Sequence, residues 1–220
     1  MGYSSSDSYD SGTGGNGGQT KTVLGVSVAP GQQLSVTVGA GGAGRLHTGA
    51  TTNTTGSASS VGPICSANGG HVHIDTFAFN FSYEIKTGSA GGNSWYYSYV
   101  PVTGGISYSG TCGCSDGNAT PTDASHSFQG YTTRYFGESN GTLYAGGGGG
   151  GYNGRGSDTS GEAGGAGGGG NGGSYISPVG GAGGANTGGG GGGSVAPPSG
   201  YGGWDGGSGG SGICIIRWGK

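Results

Sequence analysis

The cleanest alternation of apolar and polar positions lies between residues 20 and 39. Leu24, Val26 and Val28 alternate with small or polar residues, and Leu34, Val36 and Val38 alternate with Ser35 and Thr37. Period two belongs to a strand with one buried face. Between the two runs, Ala29-Pro30-Gly31-Gln32 puts Pro and Gly at the two centres of a type II turn. The pattern predicts a β-hairpin. Further along, His71-Val72-His73-Ile74-Asp75-Thr76-Phe77-Ala78-Phe79-Asn80-Phe81-Ser82-Tyr83 also alternates, and the stretches 95–102 and 105–108 predict more strands or strand edges. Near the end, Ile213-Cys214-Ile215-Ile216-Arg217-Trp218 is an apolar, β-branched run, which predicts a buried strand.

Between residues 145 and 212 this patterning gives way to glycine. From 146 to 212, 35 of 67 residues are glycine. Ordering that many glycine backbones costs on the order of 35–70 kcal/mol of entropy. With few side chains to bury, the block is either disordered or held by its backbone. The ordered alternative is a left-handed extended helix of three residues per turn, whose N–H and C=O groups all point sideways. Such helices bond to one another side by side, and only glycine lets their axes approach. Collagen is excluded, because the chain has six-residue glycine runs and only 7 Pro. Three features favour an ordered bundle of polyglycine II helices. The runs at 146–151, 161–173, 180–193 and 200–212 are of similar length. Turn chemistry separates them at 152–156, 176–179 and 196–199. The apolar run 213–218 closes the block.

This divides the chain into four parts. Residues 1–19 are a Gly/Ser-rich N-terminal segment, and 20–44 hold the hairpin and a first glycine run. Residues 45–144 are an aromatic, Cys-containing insertion, and 145–220 are the glycine bundle with its closing strand. Charge narrows the function. Only 8% of residues are charged, net charge is −3, and no basic patch appears, which argues against nucleic-acid binding. No 18-residue apolar stretch exists, so no membrane insertion is expected. The opening Met1-Gly2-Tyr3-Ser4 lacks the basic start and apolar stretch of a signal peptide. The expectation is a protein that leaves its cell without one, as virion proteins do, or a numbered chain that starts inside a longer product.

Four cysteines, Cys65, Cys112, Cys114 and Cys214, allow three disulfide connectivities. Cys112 and Cys114 are too close to pair without strain, so one of them is expected to bond Cys65. Cys214 reads as a buried thiol. His71, His73 and Asp75 fall at i, i+2 and i+4 of a strand, which is metal-ligand spacing. The commoner reading is a polar strand face, and no cofactor is expected. No nucleophile, phosphate-loop or His-Glu-x-x-His motif appears, so no enzyme is expected. Trp95, Tyr96, Tyr97, Tyr99 and Tyr108, spaced by Ser and Gly, have the composition of a binding surface, with large contact area at low entropy cost. Packing of a small core or a subunit interface is the competing reading. Asn53, Asn80, Asn118 and Asn140 each open an Asn-x-Ser/Thr sequon. Chance gives roughly two in such a chain, so they are candidate glycosylation sites of a surface protein.

Several of these motifs occur together elsewhere. The hairpin followed by Val38-Gly39-Ala40-Gly41-Gly42 is one, and Leu143-Tyr144-Ala145 leading into six glycines is another. With Gly172-Gly173-Ser174-Tyr175-Ile176-Ser177-Pro178, they resemble a widespread glycine-rich domain. That domain occurs in the ectodomains of the anaplastic lymphoma kinase and leukocyte tyrosine kinase receptors and in microbial surface proteins. The ending Gly209-Gly210-Ser211-Gly212-Ile213-Cys214-Ile215-Ile216-Arg217-Trp218 is similar to the C-terminus of glycine-rich phage tail-fibre proteins. The resemblance covers residues 14–44 and 143–220. It implies an all-β fold, a small β-sandwich with a bundle of polyglycine II helices and essentially no α-helix. Family members usually open with strands before the hairpin. Their absence here implies a truncated chain or a sheet completed by another subunit.

The expected function is a non-enzymatic extracellular or virion-surface binding module, a phage tail-fibre tip or similar adhesin. Residues 63–144 would recognise a cell-surface protein or glycan receptor, and the bundle would be their rigid support, in a homo-oligomer or a larger fibre. The alternatives are a subunit of an extracellular, glycosylated fibril assembled by strand sharing, and a ligand-binding receptor ectodomain fragment.

Overall fold

The structure is a computed structural model that describes residues 12, 14–46, 54–70, 133–152, 160–195 and 204–218, together with the backbone of β1, β5, β6, β7 and β8. The strands are β1 Tyr9–Asp10, β2 Val36–Thr37, β3 Ser59–Val61, β4 Cys65–Ala67, β5 Tyr96–Ser98, β6 Ile106–Tyr108, β7 Asn118–Thr120 and β8 Asp123–Ser127. They form two three-stranded antiparallel sheets, β1-β5-β6 and β2-β3-β4, and a β7-β8 pair. Among the described residues there is no α-helix, as the glycine content requires.

The turn of the expected hairpin forms, but its arms part. Gln32 N–H donates to the Ala29 carbonyl at 3.0 Å. Gly31 has φ +81°, which the third residue of a type II turn requires. Residues 21–28 are in no strand, and Leu24 is 73% exposed. The physical reason is Gly25, whose φ of +68° breaks the extended run between Leu24 and Val26. The second arm instead pairs forward. Val36 lies opposite Val61 and Thr37 opposite Ser60. Gly62 N–H donates to the Ser35 carbonyl at 2.7 Å and Gly39 N–H to Ser59 Oγ at 2.9 Å, extending that ladder at both ends. The expected closing strand is also corrected. Residues 213–218 are in no strand, and Trp218 is 78% exposed.

The glycine block is ordered by hydrogen bonds between chain segments. They recur in steps of three residues. Gly12, Gly15 and Gly18 donate to Ser194, Gly191 and Gly188 at 2.7–2.8 Å. Gly146, Gly149 and Tyr152 donate to Gly167, Gly170 and Gly173, and Gly148 and Gly151 donate to Gly15 and Gly12. Gly206, Gly209 and Gly212 donate to Arg45, Gly42 and Gly39, each at 2.9 Å. A step of three fits neither an α-helix nor a strand, whose periods are 3.6 and 2.

Residues 188–195 are the axis of this array. Gly190 and Gly193 donate to Gly146 and Gly149, and their carbonyls accept from Gly170 and Gly173. Gly192 donates to Gly181, and Gly189 and Gly192 accept from Gly210 and Gly207. Residues 189–193 are all buried. The interior is thus mostly backbone, and every donor named has its partner, as burial of peptide groups demands. The buried apolar side chains among the described residues are Ala145 and Tyr152, each 2% exposed, and Val195, 5%. Ala145 and Tyr152 bracket the run 146–151, and Val195 follows 188–193, so these side chains plug the ends of glycine runs.

Two of the runs fold back on themselves. Run 161–173 turns at 166–168, where Gly167 and Gly168 take φ +97° and +95°. The Asn171 side chain accepts from Gly164 N–H at 2.9 Å across that turn. Run 180–193 turns at 185–188. There Thr187 Oγ1 donates to the Gly184 carbonyl at 2.6 Å and accepts from Gly189 N–H at 3.0 Å.

Candidate functional site

Three of the five aromatic residues singled out from sequence, Tyr96, Tyr97 and Tyr108, lie in one sheet. In β1-β5-β6, Tyr96 pairs with Tyr108 and with Asp10, while Tyr97 pairs with Ser107 and with Tyr9. Tyr96, Tyr97 and Tyr108 are therefore neighbours in register, brought together from positions 12 residues apart. Trp95 and Tyr99 lie outside the described residues. Tyr9 was not expected there. Its signal was the Tyr/Ser composition of residues 3–9, which matches that around Tyr97, in a segment whose glycine content reads as a tail. Directly opposed residues of an antiparallel pair stand about 4.5–5.5 Å apart at Cβ. The register thus sets Tyr96 opposite Tyr108 and Tyr97 opposite Tyr9 on neighbouring strands.

A second cluster was invisible in sequence because its parts are 79 residues apart. Arg217 Nη1 donates to Glu138 Oε1 at 2.7 Å. The guanidinium carbon sits 4.2 Å from the Phe136 ring centroid and 5.2 Å from that of Tyr135, within cation–π range. The two rings meet edge to face at 4.6 Å. Phe136 takes φ +50°, the left-handed region that a bulky residue seldom enters. The loop around it is closed by Tyr135 N–H to the Thr142 carbonyl at 2.8 Å and Tyr144 N–H to the Thr133 carbonyl at 2.8 Å. Hydrogen bonding to Glu138 raises the Arg217 pKa further, so the cation is permanent. The cluster ties the end of residues 213–218 to the loop preceding the glycine block, at the exposed surface.

Cys65 in β4, expected to bond Cys112 or Cys114, carries a free thiol, and so does Cys214, which lies in no strand. Both are half-buried. Burial pushes the Cys214 thiol above its ordinary value, and Cys65 nearby adds to the shift. Cys112 and Cys114 lie outside the described residues, as do His71, His73, Asp75, Asn53 and Asn80. Of the remaining sequons, Asn118 opens β7 opposite Ser127, and Asn140 sits exposed in a turn, where a glycan has room. Among the described residues no cluster of metal-ligating side chains occurs, and no helix is long and apolar enough to cross a membrane.

A family model described as a glycine-rich domain matches residues 2–219. No curated protein and no solved structure matches the chain.

Proposed function

The chain belongs to the glycine-rich domain family, and from that premise we propose that it is a non-enzymatic binding module displayed outside the cell or on a virion, a tail-fibre tip or similar adhesin. Its recognition surface is the aromatic insertion, and its partner is a cell-surface protein or glycan. The observation that carries this reading is the gathering of Tyr9, Tyr96, Tyr97 and Tyr108 in one three-stranded sheet. Tyrosines of this kind offer large contact area with little side-chain entropy to lose, and their rings stack on sugars.

The glycine block is the support. We read its bonded segments as short polyglycine II helices, and the small sheets as parts of a β-sandwich at its side. The three-residue step of the bonds is the period of such a helix, and it supports that reading. A scaffold closed by backbone bonds exposes few groups that vary with sequence, which leaves specificity to the insertion.

The test is binding of the fluorescently labelled chain to a printed glycan array and to a panel of intact bacterial and animal cells. Trp95→Ala and Tyr97→Ala are expected to abolish the strongest signal while leaving the melting midpoint in place. Retained binding in both variants would sink the site.

A second reading is favoured by a different observation. Val23, Leu24, Val26 and Val28 are exposed and unpaired. An alternating apolar segment of this kind is a ready partner for an open sheet edge of another copy. The protein would then be a subunit of an extracellular fibril assembled by strand sharing. Electron microscopy discriminates, since isolated particles at every concentration exclude the fibril.

A further inference from the structure

We propose that Cys65 and Cys214 are a redox-sensitive pair that forms a disulfide, fastening residues 213–218 to the β2-β3-β4 sheet. The placement follows from the direction of two ladders. Gly206, Gly209 and Gly212 donate in turn to Arg45, Gly42 and Gly39, so numbers rise along one segment as they fall along the other. Continued by two residues, about 7 Å of extended chain, the run carries Cys214 past Gly39 toward β2. There Val36 lies opposite Val61 of β3, and Val61 lies opposite Cys65 of β4. Gly212 itself lies against the Ser59 side chain, two residues before Val61 on the same strand. Cys214 and Cys65 therefore reach the same end of β3, one along the sheet and one from outside it.

Three further facts agree. Both thiols are unbonded, both are half-buried, and Cys65 acts electrostatically on Cys214. The bond would also give the exposed apolar run a covalent anchor. Its present attachment to the sheet is the Gly212–Gly39 hydrogen bond, and beyond it lies the Arg217–Glu138 pair.

The oxidant is a small-molecule disulfide. One cysteine thiolate attacks a sulfur of oxidised glutathione, forming a mixed disulfide and expelling one glutathione thiolate. The second cysteine thiolate attacks the protein sulfur of that intermediate and expels the other glutathione. Two protein thiols lose two electrons, the S–S bond of glutathione is reduced, and the two protons pass to the released thiolates.

The full chain is incubated with oxidised glutathione, blocked with N-ethylmaleimide and digested with trypsin. Cleavage at Arg45, Lys86, Arg134, Arg155 and Arg217 puts Cys65, the Cys112/Cys114 pair and Cys214 on three separate peptides, 46–86, 87–134 and 156–217. The expected product is peptide 46–86 linked to 156–217, two hydrogens lighter than the sum. Linkage of 46–86 to 87–134, glutathione retained on Cys214, or no oxidation would each overturn the pairing. Oxidation should also raise the melting midpoint, on the order of 10 °C for so long a closed loop. Cys214→Ser should abolish that increment while melting like the reduced chain. An increment that persists in Cys214→Ser would overturn the proposal as well.

Discussion

Gly148 and Gly191 approach so closely that a Cβ on Gly148 would fall on the Gly191 carbonyl oxygen. The same holds for Gly190 against the Gly15 carbonyl oxygen. At both positions the obstacle is backbone, which cannot rotate away. Gly148→Val and Gly190→Val are expected to prevent the array from forming, and Gly148→Ala alone should cost at least about 3 kcal/mol. Gly15 is the internal control. A Cβ there meets nothing nearer than 3.6 Å, from Gly191. Gly15→Ala should change stability by less than about 1 kcal/mol, with a stabilising contribution from the restricted unfolded chain. Thermal unfolding of the four variants checks the contrast. Equal loss at Gly15 and Gly148 would mean that close approach is not what selects glycine here.

That contrast marks how far the sequence could be read. The choice of order over disorder was legible in the regular runs; of the separating turns, 176–179 is described, while 153–156 and 196–199 lie outside the described residues. The fold-back points were not. The residues 166–168 and 185–188 sit inside what reads as continuous glycine, and a turn made of glycine between glycines leaves no compositional edge. The hairpin failed for a related reason. Gly25 looks like any small residue in an alternating strand, yet its left-handed φ ends the extended arm. Alternation sees side chains, and here the backbone decides. For the site, the Tyr96–Tyr108 pairing follows from two strand patterns close in sequence. Tyr9 and the Arg217–Glu138 contact depend on long-range topology, which one sequence does not encode in any local pattern.

Arg217 should be the pin that holds the end of residues 213–218. Its guanidinium combines an ion pair with contact to two rings, a geometry that a lysine ammonium does not reproduce. Arg217→Ala and Arg217→Lys are both expected to speed amide exchange in residues 134–142, with Lys retaining only part of the protection. Raising salt to 1 M should have a partial effect on the wild-type chain, because screening weakens the ion pair more than the stacking. Hydrogen–deuterium exchange read by mass spectrometry checks this. Unchanged exchange in Arg217→Ala would show the contact to be incidental.

The Cys214 thiol has its pKa raised by burial first and by Cys65 second. The fold therefore favours the protonated form. That preference costs nothing below the ordinary thiol range. As pH rises through that range, the unfolded chain ionises first, and stability is lost until the folded thiol ionises too. The reduced chain should melt progressively lower above the ordinary thiol pKa, and Cys214→Ser should flatten that slope. At neutral pH, iodoacetamide should modify Cys214 more slowly than it modifies free cysteine. A Cys214 that reacts faster than free cysteine would contradict the direction of the shift.

The last prediction separates the aromatic sheet from its support. β1 is the edge strand beside β5, and its only described register partners are Tyr96 and Tyr97. A two-stranded hairpin is marginal in water, whereas a third strand makes a sheet sustainable. Deleting residues 1–11 leaves the bonds of Gly12, Gly15 and Gly18 to residues 188–194 in place. The glycine array should then melt within about 2 °C of the full chain, since none of its hydrogen bonds among the described residues involves residues 1–11. The β5-β6 pair should lose order, read as a fall in the tyrosine near-ultraviolet dichroism, and binding to cells or glycans should fall with it. Loss of binding with unchanged dichroism would make β1 a direct contact rather than a brace. Loss of array stability would mean that recognition and support are one cooperative unit, and that the division of labour between them does not hold.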